Sequence, residues 1–220
     1  MLAATKLIVV TIICSAVYGF AVGSVHSNLY AVRNLIKFPM LIFITCGICS
    51  ICYYVFSKFI TWKLSFVDVQ FLALKTFRDI SLLLSSLAPA CFFLALTTVK
   101  PTDGAHMGGY PLFLGMNVAF IAVCGSVTLV YRTLALIKGH GVSVRKGIAV
   151  ILAWLLISLF AGGQCAWYLR PFYGVAFLKG IPFAMGKQPH VTGATNFYEG
   201  VWHIISPPGK NGAEEDTTHR

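Results

Sequence analysis

Five long stretches without a charged side chain divide this sequence, and they limit the folds open to it more than any other feature. They fall at about Leu7–Val25, Phe38–Phe56, Ile80–Val99, Pro111–Tyr131 and Gly147–Leu169. At a helical rise of 1.5 Å per residue, each is long enough to cross a hydrocarbon core of roughly 30 Å. Inside such a core every backbone N–H and C=O must be satisfied within the chain, which leaves the helix for segments of this length. The composition agrees: 57% of residues are apolar and 11% charged, whereas soluble domains carry about 25% charged residues. Soluble globular, disordered, coiled-coil and nucleic-acid-binding chains are excluded on these grounds. The expected fold is an all-α integral membrane protein, multi-pass, with about five transmembrane helices plus a short C-terminal amphipathic helix. Residues 1–174 read as the helical bundle, 175–206 as a membrane-surface segment and 207–220 as a polar, disordered tail.

The charges mark the ends of the spans. One side collects Lys6, Lys58, Lys63, Arg132, Lys138, Arg145 and Lys146, with Lys75 and Arg78 beside them. The short loops of the other side hold Arg33, Lys37 and Lys100, and the C-terminal region adds Arg170, Lys179, Lys187, Lys210 and Arg220. The bias in short loops favours a cytoplasmic N-terminus and an external C-terminus. The net charge of +10 thus reflects anchoring, and the expected partner of these lysines is the lipid bilayer with its anionic headgroups. No basic stripe interleaved with exposed aromatics points to nucleic acid.

The N-terminal run ends in Ala21-Val22-Gly23 before Ser24, which resembles a signal-peptidase site. Continuation of the run to Val25 favours an uncleaved helix, and Gly19 and Gly23 form a small-xxx-small face suited to close packing. Pro39 is expected in the first turn of the second span, where its missing amide hydrogen costs little. The seven cysteines all lie in apolar runs, where a disulfide framework would not place them. Cys46, Cys49 and Cys52 have iron–sulfur-like spacing without a fourth cysteine, and read as small apolar side chains.

Val67–Arg78 reads as an amphipathic lead-in continuous with the third span, with Val67, Phe71, Leu74 and Phe77 on one side. Asp68, Lys75 and Asp79 share another side, and Lys75 and Asp79, four apart, can pair. Pro89 falls mid-span, with Ser85 and Ser86 placed to satisfy the backbone groups it frees. Lys75, Arg78 and Asp79 are the charged group that reaches furthest toward the bilayer, as an interfacial ion pair or an ion relay. Asn117 in the fourth span and Gln164 in the fifth are expected to bond between helices.

The most distinctive string is GGQCAWYLRPFYG, residues Gly162–Gly174. Its glycines permit close helix approach, Gln164 can bond across the bundle, and Trp167, Tyr168, Phe172 and Tyr173 form an interfacial belt on which Arg170 can stack. Downstream, Thr195–Ile205 reads as a short amphipathic helix, with Asn196 as N-cap and Glu199 three residues later in a capping box. Glu199 is the only acid between Arg170 and Glu214. It either folds back onto Arg170 or only closes its own cap.

GGQCAWYLRPFYG followed by NFYEGVWHII resembles the C-terminal signature of a bacterial multipass membrane family, in which G-x-Q-x-x-W-x-L-R-P-F-x-G precedes N-F-Y-E. In this sequence the matching positions include Gln164, Trp167, Arg170, Pro171, Phe172, Asn196 and Glu199. The strings IKFPMLIFIT, SSLAPACFFLALTT and PLFLGMNVAF are similar to that family's second, third and fourth spans, so the resemblance covers roughly residues 30–205. It implies a polytopic protein of the bacterial inner membrane and brings no activity with it. The actin-binding label that some members bear does not fit a chain embedded in a membrane. This sequence departs from the pattern at Lys75, Arg78 and Asp79, where the family has a continuous apolar run.

No catalytic, metal or cofactor motif accompanies these features. The six histidines have no two at ligand spacing on one helix, and His106-Met107 is at best a weak metal site. The expectation is a chain that is not an enzyme and takes no cofactor: a non-catalytic membrane subunit or scaffold packing with other membrane proteins or with itself. The alternative is a small transporter or channel, which would need Asp79, Asn117 and Gln164 to face one shared cavity. A membrane enzyme would need His106 or Arg170 beside a pocket with a second titratable partner.

Overall fold

A computed structural model of the chain describes residues 2–24, 28–98, 110–169 and 196–205. Every described element is a helix: α1 Leu2–Gly23, α2 Asn28–Ile60, α3 Phe66–Thr98, α4 Tyr110–Gly139, α5 Val144–Leu169 and the short α6 Phe197–Ile205. The first five are long and apolar enough to cross a membrane. The protein is an all-α integral membrane protein with a short C-terminal helix.

Helices α2, α3, α4 and α5 form a ring in which each packs on its two neighbours, and α1 lies outside it on the α2–α3 seam. The glycines of α1 explain that seat. A Cβ on Gly19 would stand 2.5 Å from the Asn34 carbonyl oxygen, and one on Gly23 would stand 2.6 Å from that of Tyr30. The small-xxx-small face therefore lets the α1 backbone rest directly on α2. On the opposite side of α2, Tyr53 and Trp154 stack with ring centroids 4.6 Å apart, and the Trp154 indole N–H donates to the Tyr53 carbonyl at 3.1 Å. Both rings are buried, and this aromatic pair with Leu64, Val69, Leu84 and Val150 lies at the heart of the core.

The turns at one end are built by local chemistry. Ser65 caps α3: its hydroxyl accepts from the Asp68 amide at 3.2 Å and donates to the Asp68 carboxylate at 2.5 Å. Helix α4 ends in a Schellman motif, with Val142 N bonded to the Ile137 carbonyl and Gly141 N to that of Lys138. That motif needs a left-handed residue, which Gly141 supplies at φ 58°. The two connectors are also joined. Lys63 Nζ donates to the Gly141 carbonyl at 2.5 Å, and His140 Nε2 meets Asp68 Oδ2 at 3.2 Å.

Several points differ from the sequence expectations. Pro39 is not in a first turn, because α2 already begins at Asn28. The stretch expected as a short loop around Arg33 and Lys37 is helical, and Asn34 and Lys37 are buried there. The lead-in and third span are one helix of 33 residues, but its buried side is Val69, Leu72, Ala73, Thr76, Phe77 and Ile80, while Val67 and Phe71 are exposed. A bilayer reverses the usual rule: lipid accepts the large apolar face, and the interface takes the smaller and more polar one. Finally, α3 continues through Pro89, and Ser86 donates to the Leu83 carbonyl rather than to the Ser85 carbonyl that the proline frees.

Candidate functional site

The polar side chains inside the helices gather at four joints. The first joins α3 to α4. Asp79 Oδ1 accepts from Arg78 Nε at 2.7 Å and also from Arg78 Nη2; Asp79 Oδ2 accepts from Arg132 Nε at 2.7 Å and also from Arg132 Nη2. Two forked guanidiniums thus use both carboxylate oxygens, the geometry that arginine makes and lysine cannot. The expected Lys75–Asp79 pair does not form. Lys75 is exposed one turn away, because Arg132 reaches the carboxylate in the bidentate arrangement. Reading spacing along one helix missed Arg132. The signal was available, since Asp79 and Arg132 lie at nearly equal distances, about twenty residues, from the connector between two antiparallel spans.

The second joint is centred on Asn117. Its side-chain oxygen accepts from the Tyr18 hydroxyl at 2.7 Å and the Cys91 thiol at 3.1 Å, and its amide donates to the Phe113 carbonyl at 2.8 Å. Asn117, Tyr18 and Cys91 are all buried, so one amide ties α1, α3 and α4 together in a region without water. Tyr18 and Cys91 carried no polar signal in the sequence.

The third joint ties α2 to α5, where the Tyr53 hydroxyl is hydrogen-bonded to Ser158. Gln164, expected to bond across this region, has no side-chain hydrogen bond among the described residues. It is half-buried, and the close approach around it belongs to the glycines instead.

The fourth joint seats α6 on α5 and α4. A Cβ on Gly163 would come within 3.0 Å of both Phe197 and the Tyr198 hydroxyl, and one on Gly200 would come within 2.6 Å of the Trp167 ring. Each helix therefore offers a glycine to the other's aromatic side chain. The Tyr198 hydroxyl donates to the Leu159 carbonyl, and desolvation against α5 pushes this phenol above its usual range. Asn196 caps the helix as expected: the Glu199 amide donates to Asn196 Oδ1 at 3.0 Å, and the two side chains also meet, with Asn196 Nδ2 donating to Glu199 Oε2 at 3.4 Å. Arg170, Pro171 and Phe172 lie outside the described residues, and with them the expected Arg170–Glu199 contact. His106 lies outside them too.

Chemically, these joints hold helices and leave little for a substrate. Asp79 and Asn117 each bond at a different helix seam. Among the described residues no three His, Cys, Asp or Glu side chains come together as metal ligands. All seven cysteines are free thiols. A groove of about 430 Å³ opens between α1 and α2, lined by apolar side chains including Ile12, Pro39, Met40 and Phe43. It suits a hydrocarbon chain and not an ion.

No family model, curated protein or solved structure matches the chain.

Proposed function

We propose that this chain is a non-catalytic polytopic subunit or scaffold that packs with other membrane proteins or with further copies of itself. The observation carrying the proposal is where its polar groups go. Asp79, Asn117 and Tyr53 bond to other helices of the same chain, whereas transport or catalysis needs such groups to converge on a solvated cavity. What remains for function is the outer surface, broad and apolar, with exposed side chains such as Phe93, Leu96, Leu156 and Phe160.

The nine basic residues on one side against three in the short loops of the other support a cytoplasmic N-terminus and an external C-terminus. Membership of the bacterial family whose signature the C-terminal strings resemble, and hence an inner-membrane location, belong to the same proposal. Its support is that the two strings of that signature pack on each other, through Gly163, Trp167, Phe197 and Gly200.

A small transporter or channel using polar residues of the third to fifth spans is the second reading; Asp79 and Asn117 would be its polar groups, and they bond at separate helix seams. Purification from native membranes in a mild detergent separates the two. A stoichiometric partner supports the scaffold. A lone chain that moves a solute across proteoliposomes, with Asp79→Asn abolishing the flux, overturns it.

A further inference from the structure

The α3–α4 joint carries more charge than it uses on itself. The Asp79 side chain is 19% exposed, against 28% for Arg78 and 30% for Arg132. All three side chains are thus partly open to the surface, the arginines more than the acid. Each guanidinium has five N–H donors and gives two to Asp79, which leaves three on each. Neither makes a further hydrogen bond or ion pair among the described residues. Lys75, exposed one turn before Arg78, adds a third cation. Three bases and one acid leave the patch with a net charge of +2.

The surroundings turn apolar immediately, with Leu82 and Leu83 exposed on α3 and Val127 and Tyr131 exposed on α4. By helical rise, Asp79 lies about 29 Å from Thr98 and Arg132 about 32 Å from Pro111. That is about the thickness of the hydrocarbon core, so the patch stands at the level where headgroup phosphates meet acyl chains.

We propose that Lys75, Arg78 and Arg132 form a binding site for the phosphate of an anionic phospholipid, whose acyl chains lie on the adjoining apolar surface of α3 and α4. Phosphate oxygens match the guanidinium fork. Asp79 already holds both forks in place, so ligand binding does not have to order them. A zwitterionic headgroup leaves the net charge of the patch unchanged, and a singly charged anionic one halves it.

The test uses the full chain in a mild detergent, titrated with phosphatidylglycerol or phosphatidylcholine, with lipid occupancy read by native mass spectrometry. The expected preference for phosphatidylglycerol is about 25-fold, since the patch carries a net charge of +2 and each unit of that charge favours an anionic lipid by about fivefold. R78Q/R132Q brings the preference to about one, and K75Q lowers it by about fivefold. K146Q, at an exposed base on α5 at the same end, leaves it unchanged. Equal retention of the two lipids by the unaltered chain, or a preference that survives R78Q/R132Q, overturns the site. If R78Q/R132Q loses helical content, K75Q decides: it lowers the charge and leaves both guanidinium–Asp79 contacts intact, and an unchanged preference contradicts the proposal. Excess inorganic phosphate separates the two sources of the anion. Retained phosphatidylglycerol supports a lipid site, and its displacement by phosphate overturns the lipid assignment.

Discussion

Arg132 Nε donates to Asp79 Oδ2 at 2.7 Å across 53 residues of sequence, and this contact locks α4 onto α3. The same carboxylate holds Arg78. Removing it leaves two guanidiniums together at a half-buried seam. D79N is expected to cost about 1–3 kcal/mol, less than a fully buried pair because all three side chains keep some solvent. R132Q acts in the same direction and more weakly. The double variant is expected to lose less than the two single losses combined, with a coupling of at least about 0.5 kcal/mol. Thermal unfolding in detergent measures all three, and additive losses would remove the contact from the account.

Asn117 satisfies Tyr18 and Cys91 at once. N117L keeps the branching and the number of side-chain heavy atoms and orphans a buried hydroxyl, so it is expected to cost about 2 kcal/mol. Y18F leaves Asn117 with the Cys91 thiol as a remaining donor, and its cost is expected to stay below about 1 kcal/mol. Equal melting temperatures for the two variants would contradict this ordering.

The α6 seat depends on Gly163 and Gly200. G200A drives a methyl group into the Trp167 ring, and the overpacking is expected to cost about 1–3 kcal/mol of docking. Limited proteolysis after residue 195 should then accelerate at least fivefold, about the factor that 1 kcal/mol supplies. G162A is the control. Its Cβ would meet only Thr45 at 3.8 Å, so proteolysis should not change.

Docking of α6 should also respond to alkali. The folded-state phenol of Tyr198 is raised by desolvation. Its contribution is therefore fully present below the unfolded pKa of about 10 and is lost as pH rises through the folded value. Protease sensitivity of the C-terminal segment should climb from about pH 10 upward, and Y198F should flatten that climb. An unchanged profile in Y198F would assign the alkaline response elsewhere.

Gly19 and Gly47 give a paired test of helix packing. G19A forces α1 off the Asn34 carbonyl and is expected to cost about 1–3 kcal/mol. A Cβ on Gly47 meets nothing within 4 Å, so G47A should gain up to about 1 kcal/mol from helix propensity alone. Identical effects at the two sites would contradict the seating of α1.

Much of this fold could be read along the chain. Uninterrupted apolar runs located all five long helices, because the bilayer leaves them no other structure. The Gly19/Gly23 face and the Asn196–Glu199 cap were equally legible, since both depend on local spacing. What crossed between helices was not. Arg132 looked like an anchoring charge, and only its distance from the connector, matched by that of Asp79, pointed to the pair. Tyr18 and Cys91 looked like apolar filler. Which face of α3 is buried was not legible for a related reason: lipid and protein interior are equally apolar, so hydropathy does not say which of two apolar faces turns inward. Gln164 was singled out for its chemistry, while the packing around it depends on its glycine neighbours.

The central claim is that the lipid-facing surface, and not the interior, carries the protein's role. A photo-crosslinking residue placed in turn at Leu96, Val123 and Leu156, each exposed on a different helix, tests it in native membranes. The account predicts at least one position that yields a discrete adduct heavier than the 24.0 kDa chain, formed with a second protein or a second copy. Adducts with lipid alone at every exposed position would contradict it.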